Sequence, residues 1–205
     1  MTKFYRAAYI ILAGFFRFLY RVKVSGLENM PEDGKILVCA NHTSAADAIV
    51  ICAAMKRQVC FMAKTELFKI PVLSWFLRAL GTYPIDRSGG DVGAVKHTVV
   101  LLKEGKAVGM FPQGTRHPGV DPRTTKVKNG VALIITHAES DVLPIYIDRK
   151  NNTCKIFRKT HLIVGKPIKY EELGFSRGEQ GEYQRISNVI FDEICRLGEE
   201  YRNEQ

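Results

Sequence analysis

The chain has 205 residues, 46% hydrophobic and 25% charged, which is the profile of one folded globular domain with a substantial core. The 30 Lys and Arg against 21 Asp and Glu leave a net charge of +9, favouring anionic partners: phosphorylated substrates, acidic lipid surfaces or nucleic acid. No RNP-like motif, zinc-finger spacing or basic-region helix accompanies that charge, so nucleic acid is set aside.

Phe4 to Tyr20 is strongly apolar and aromatic, interrupted by Arg6 and Arg17 and followed by Arg21 and Lys23. Its uninterrupted part, Ala7 to Phe16, is 10 residues, whereas a spanning helix needs about 20. No small-residue cleavage site follows it. We read residues 1–24 as a helix lying in the membrane interface with its arginines reaching the headgroups, the alternative being a helix packed on the protein's own core. Residues 25–205 then form the main domain.

Arg21 to Val24 is a short basic strand, followed by turns at Gly26 and at Pro31-Glu32-Asp33-Gly34. Lys35 to Ala40 reads as a buried strand, and Thr43 to Met55 as a helix with Thr43 or Ser44 as its N-cap. Between them stand His42 and Asp47, with Asp47 about one turn into the helix. A carboxylate on one imidazole nitrogen fixes the tautomer and leaves the other nitrogen to take a proton. This is half of a hydrolase triad, without a nucleophile. It suits an enzyme whose nucleophile is a hydroxyl of its substrate, although an isolated pair of this kind reads first as a local capping contact.

Val59 to Ala63 is a strand, and Val72 to Leu80 a helix ended by Gly81. Thr82 to Ile85 is a strand leading to Asp86-Arg87 and the loop Ser88-Gly89-Gly90. Val92 to Lys103 is helical, Ala107 to Phe111 a strand that runs into Pro112-Gln113-Gly114-Thr115-Arg116, Gly130 to Ala138 a helix, and Val142 to Ile147 a strand. Asn151-Asn152 turns it into another strand, Cys154 to Val164. Arg149 to Lys169 carries 7 Lys or Arg and no acid, which fits either a solvated hairpin face or contact with an anionic surface. Ile186, Val189, Ile190, Ile194 and Leu197 share one face of a helix that covers the core. The alternation of strands and helices indicates an α/β fold: a single domain with a mixed β-sheet flanked by helices. The five cysteines, odd in number and without a Cys-x-x-Cys pair, suit a reducing compartment.

Arg87 and Arg116 place guanidinium groups at two strand ends, and Gly114 offers backbone N–H donors. Together they suit a phosphate, because guanidinium matches oxyanion geometry in bidentate fashion. Four blocks now stand in order: Asn41 to Asp47, Gly81 to Arg87, Phe111 to Arg116, and Val142 to Ile145. The chain thereby resembles the 1-acyl-glycerol-3-phosphate acyltransferases within the glycerolipid acyltransferase group, over about residues 25–168. Lys64-Thr65-Glu66-Leu67…Pro71, Lys128-Asn129-Gly130 and Val164-Gly165-Lys166-Pro167 add to the likeness.

The resemblance implies transfer of a fatty acyl group to the free sn-2 hydroxyl of 1-acyl-glycerol 3-phosphate, giving phosphatidic acid. The donor would be acyl-CoA, an acyl carrier protein thioester or an acyl phosphate. His42 is implied as general base and Asp47 as its orienting partner. Lys64, Arg87, Gln113, Gly114, Thr115 and Arg116 are implied at the acceptor's phosphate. No metal or cofactor is implied. The implied partners are membrane lipids, the lysophospholipid acceptor and the acyl donor, acyl carrier protein among the candidates, and the implied location is the cytoplasmic face of a membrane. The chain departs from the family at Gln113, where Glu is usual: Gln keeps the size but loses the charge and gains two donors. That leaves a related acyltransferase with another acceptor, such as glycerol 3-phosphate or a different lysophospholipid, and a non-catalytic lipid-binding protein, as the alternatives.

Overall fold

A computed structural model describes residues 3–79, 81–85 and 92–205. Seven strands form one sheet in the order β1-β7-β6-β2-β5-β3-β4. They span Val22–Ser25 (β1), Ile36–Ala40 (β2), Val59–Lys64 (β3), Tyr83–Ile85 (β4), Ala107–Met110 (β5), Asp141–Arg149 (β6) and Thr160–Val164 (β7). β6, β2, β5, β3 and β4 run parallel. β7 returns antiparallel along β6, and β1 lies parallel to β7 at the edge. β1, which straddles the boundary expected at residue 24, is thus a strand of the main sheet.

Helices cover both faces, as a mostly parallel sheet requires. α2 (Asp47–Ala54) lies on one face, and α1 (Lys3–Leu19) packs against α2. α4 (Val92–Lys103), α5 (Gly130–Ala138) and α6 (Glu182–Asn203) cover the other. The two-residue period of β2 divides its side chains between the cores: Leu37 and Cys39 join α4, α5 and α6, whereas Ile36, Val38 and Ala40 join α2. β6 divides the same way, with Val142 and Tyr146 on the first core and Leu143, Ile145 and Ile147 on the second. α3 (Pro71–Ala79) ends as expected at Gly81, whose φ is 81°. The N–H groups of Gly81 and Thr82 return to Arg78 and Leu77 carbonyls, both at 2.9 Å, in a Schellman closure.

Two local expectations change. The helix after His42 begins at Asp47, four residues later than the Thr43 start, and neither Thr43 nor Ser44 caps it. The N–H groups of Thr43 and Ser44 instead donate to the Asp47 carboxylate, at 2.7 and 2.8 Å, so this stretch closes as a side-chain-bonded turn. The last strand begins at Thr160, six residues after the Cys154 start. Phe157, inside the expected strand, has φ of 61°, a value that no extended ladder accommodates, while Asn151 and Asn152 make the expected turn with φ of 55° and 49°. The segment ties to α1 instead, with Phe157 N–H donating to Leu19 O at 2.7 Å. α1 rests on the domain with Ala13 buried, while Phe15 and Phe18 stand 55% and 71% exposed. No described helix is long and apolar enough to cross a membrane.

Candidate active site

β2 points its carboxyl end out of the middle of the sheet, the position where open α/β sheets build their sites. Asn41, the first residue beyond β2, works as an extension of the ladder: its side-chain amide donates to Ile147 O at 3.1 Å and accepts from Ile147 N–H at 2.7 Å. This ties the turn to β6 and delivers His42 to the sheet end.

The imidazole of His42 is 6% exposed and lies 2.9 Å, Nδ1 to Oδ2, from Asp47. Oδ2 also collects the Thr43 and Ser44 N–H groups, and Oδ1 receives Nη1 of Arg149. Burial pushes the Asp47 carboxyl up, but the His42 hydrogen bond, the Arg149 guanidinium and the Ser44 N–H outweigh it and hold the group below its ordinary value. An ionised Asp47 accepts a hydrogen bond from Nδ1–H, and Nε2 is then the basic nitrogen. Among the described residues no serine or cysteine hydrogen-bonds to His42. Cys39, three residues away, is fully buried and its thiol is pushed far up by burial, so it supplies no nucleophile.

The Phe111 to Arg116 block folds directly around His42. Phe111 stacks on the imidazole, ring centroids 3.9 Å apart and planes within 7°. Gln113 Oε1 accepts His42 N–H at 2.6 Å, and His117 N–H donates to His42 O at 2.9 Å. Ring, amide and carbonyl of the histidine are therefore all fixed by one loop. Gln113 is 2% exposed, and its Nε2 donates to Thr125 Oγ1 at 2.7 Å. Gln113, implied by the resemblance at the acceptor's phosphate, has its side chain turned inward to the histidine turn.

Gly114, with φ of 69°, lets the chain reverse here, and a Cβ on it would meet Lys128 Cδ at 2.7 Å. Thr115 and Arg116 follow, both exposed beside the His42 turn. Lys64 is exposed at the carboxyl end of β3, two strands from β2. Arg87 lies outside the described residues. Lys128, whose stem lies over Gly114, adds a cation that sequence reasoning had noted only as part of a motif.

Arg149 is the residue that sequence reasoning missed. Counted among the basic residues of a surface hairpin, it is 4% exposed and reaches Asp47, Thr43 and Thr160. The signal was present in the strand period: Arg149 follows Ile145 and Ile147 at two-residue steps and shares their buried face.

Comparison with known proteins agrees with this geometry. The family model described as Acyltransferase matches residues 21–148. The 1-acyl-sn-glycerol-3-phosphate acyltransferase of Bacillus subtilis (strain 168) is 31% identical over 150 residues, 72% of this chain and 73% of that protein. The protein of the same name from Streptococcus pneumoniae (strain ATCC BAA-255 / R6) is 32% identical over 173 residues, 82% of this chain and 62% of its own length. The crystal structure of the 1-acyl-sn-glycerophosphate (LPA) acyltransferase PlsC from Thermotoga maritima shares the fold, with a TM-score of 0.69 at 24% identity over 97% of this chain and 84% of that one. By family model and by sequence, the chain belongs to the acyltransferase family that includes the 1-acyl-sn-glycerol-3-phosphate acyltransferases.

Proposed function

We propose that this protein transfers a fatty acyl group to the sn-2 hydroxyl of 1-acyl-glycerol 3-phosphate and so makes phosphatidic acid. The observation that carries the reading is the His42–Asp47 pair, fixed on every side yet joined, among the described residues, to no protein nucleophile. Such a base serves a hydroxyl brought by the substrate. His42 Nε2 removes the acceptor's hydroxyl proton as that oxygen bonds to the donor's acyl carbon. The tetrahedral intermediate then expels the donor's leaving group, a thiolate or a phosphate, which takes the proton back from the imidazolium. Asp47 stabilises that imidazolium. No acyl-enzyme forms.

Arg116, the N–H groups and hydroxyl of Gly114 and Thr115, and Lys64 supply the phosphate site in this reading, with Arg87 as a further candidate from the sequence. Holding the phosphate places the hydroxyl against His42, a proximity effect worth up to several orders of magnitude. The donor is an acyl thioester or acyl phosphate.

The site works at an anionic membrane surface in this reading, on the cytoplasmic side. Several exposed apolar side chains belong to segments at the carboxyl edge of the parallel strands, the edge that carries His42: Leu67, Ile70, Val72 and Trp75 after β3, and Ile156 and Phe157 after β6. Phe157 meets the exposed Phe18 of α1 edge to face, ring centroids 6.1 Å apart. Lys155, Arg158, Lys159 and Arg17 flank this apolar group with positive charge. Apolar tips among cations match a bilayer rich in anionic lipid.

The test is incubation of the purified protein with lysophosphatidic acid, other lysophospholipids and glycerol 3-phosphate, each with acyl-CoA, acyl carrier protein thioester and acyl phosphate. Products are identified by mass. Phosphatidic acid made by the wild type and not by His42→Ala supports the proposal. Product from another acceptor alone would move the chain to a related reaction, and no product from any pair would leave a lipid-binding protein.

A further inference from the structure

The Arg149 side chain is 1% exposed and ion-paired with an Asp47 side chain that is wholly buried. Its Nη1 also donates to Thr43 Oγ1 at 2.7 Å, and its Nε to Thr160 Oγ1 at 3.1 Å. Nη2 is buried with no hydrogen-bond partner among the described residues. For stability alone this is a poor arrangement. Burying an ion pair costs about as much as it returns, and a buried donor left unbonded adds to the cost. Its neighbours on that face of β6, Ile145 and Ile147, are apolar, and a Met would extend the same packing. Arg149 instead brings a fixed cation to the acid that orients the base.

Resting on the acyl-transfer reading above, we propose that Arg149 is a positioning residue of this reaction: it clamps Oδ1 of Asp47 so that Oδ2 stays on His42 Nδ1, and its positive charge opposes the gain of a further proton by the pair. The geometry divides the carboxylate cleanly. Oδ2 is taken by His42 and two N–H groups of the turn, and Oδ1 by Arg149. Without the guanidinium the carboxylate is free to rotate about its own bond and share its oxygens differently among the turn donors. The charged and titratable groups facing Asp47 are His42 from the turn and Arg149 from β6. Removing the cation makes both members of the pair bind protons more readily, so the sign of the effect is fixed: protonation moves to higher pH. Arg149 makes its contacts inside the protein, which separates it from the exposed Arg116 and from acceptor binding.

The experiment compares wild type, Arg149→Met and Arg149→Lys by steady-state kinetics from pH 5 to 9. Histidine proton NMR of the His42 Nδ1–H, identified by its loss in His42→Ala, follows the pair without turnover. For Arg149→Met, kcat should fall ~10²-fold, the size of effect that misalignment of a catalytic group produces. The acceptor KM should stay within about threefold of wild type. The acid limb of the kcat profile, and the NMR titration of the pair, should move to higher pH by about one to two units. Arg149→Lys keeps the charge but not the fork, so kcat should fall while the acid limb stays within about half a unit of wild type.

An Arg149→Met protein with an unmoved acid limb and titration, and kcat lowered only with its folded fraction, would show a purely structural arginine and overturn the proposal. A rise in acceptor KM in place of the kcat loss would overturn it too. If Arg149→Met does not fold, Arg149→Lys decides, since an acid limb moved up despite the retained charge is against the proposal. If the wild type acylates nothing, the acyl-transfer reading fails on its own, and the NMR titration still decides whether Arg149 governs the pair.

Discussion

At the scale of single residues, the site is a histidine with every polar group of its backbone and one ring nitrogen already committed, which leaves Nε2 for chemistry. His42→Ala should therefore lower kcat by ~10²–10⁴-fold, the usual worth of a general base, measured per folded molecule. Asp47→Asn should be as severe, because the amide is able to donate to Nδ1 and so reverse the tautomer. The folded-state pKa of Asp47 lies below its unfolded value. Its contribution to stability is thus present above the unfolded value of about 4 and is lost as pH falls through the lower folded value. A melting-temperature series between pH 6 and 3 should fall more steeply for wild type than for Asp47→Asn; equal slopes would refute the assignment. Gln113 sits in a relay: its Nε2 donates to Thr125, whose hydroxyl donates to Pro122 O at 2.6 Å. Gln113→Leu leaves His42 N–H without its acceptor and should destabilise the protein by about 1–3 kcal/mol. Gln113→Glu needs Thr125 to turn its proton from Pro122 to the new carboxylate, and sets a charge beside the His42 turn. It should alter kcat more than the ratio of kcat/KM among acceptors, which a panel of lysolipids measures directly. Arg116→Ala, by contrast, should raise KM for phosphorylated acceptors, corresponding to roughly 1.5–3 kcal/mol for a charge-assisted contact. Equal weakening for a neutral acceptor such as monoacylglycerol would remove the phosphate assignment.

At the scale of elements, the base is held by an aromatic stack that begins inside the sheet. Phe61 on β3 lies over Gly109 of β5, where a Cβ would come within 2.2 Å of the ring. Phe61 meets Phe111 with centroids 5.7 Å apart, and Phe111 stacks on His42. Gly109 thus has a steric reason: only a bare backbone leaves room for the ring that supports the ring that supports the imidazole. Phe61 is 6% exposed and is enclosed by its neighbours, so it cannot swing clear. Gly109→Ala should cost about 1–3 kcal/mol, as overpacking of a filled core does, and should lower kcat by displacing Phe111. Denaturant titration and kcat measured on the same preparation test this; a stable, fully active Gly109→Ala enzyme would show that the stack has slack.

At the scale of the whole molecule, parallel strands gather one end of the fold into a working edge. β2 contributes His42, β5 the loop that grips it, β3 Lys64, and β6 Arg149 together with the hairpin that fastens to α1. The exposed aromatic and aliphatic tips of α1 and of the hairpin share that edge, so docking on a bilayer would bring the site to its lipid substrates. Replacing Phe15, Phe18, Ile156 and Phe157 with Ser removes the apolar tips without deleting any segment. Co-sedimentation with vesicles containing phosphatidylglycerol should drop by about an order of magnitude, and high salt should weaken what remains. Unchanged sedimentation of the four-fold variant would place binding elsewhere, with the exposed Trp75 segment as the next candidate.

Much of this was determined by sequence alone. Strands and helices alternate with the expected periods, so the α/β class, the mixed sheet and the order of its elements followed from apolar spacing. The His42–Asp47 pair is local in sequence, and its reach across one turn needed no fold to be seen. Contacts between distant segments were a different matter. Gln113 reads as part of the block implied at the acceptor's phosphate, and only the packing of β5 beside β2 brings its amide under the His42 N–H. Arg149 reads as one more cation in a basic stretch. It became part of the site because β6 pairs with β2 and directs alternate side chains, Arg149 among them, toward the face that α2 covers. Composition and spacing describe what lies along the chain, whereas burial and partnership of a charge depend on which strand lies next to it, and strand order is a property of the folded sheet.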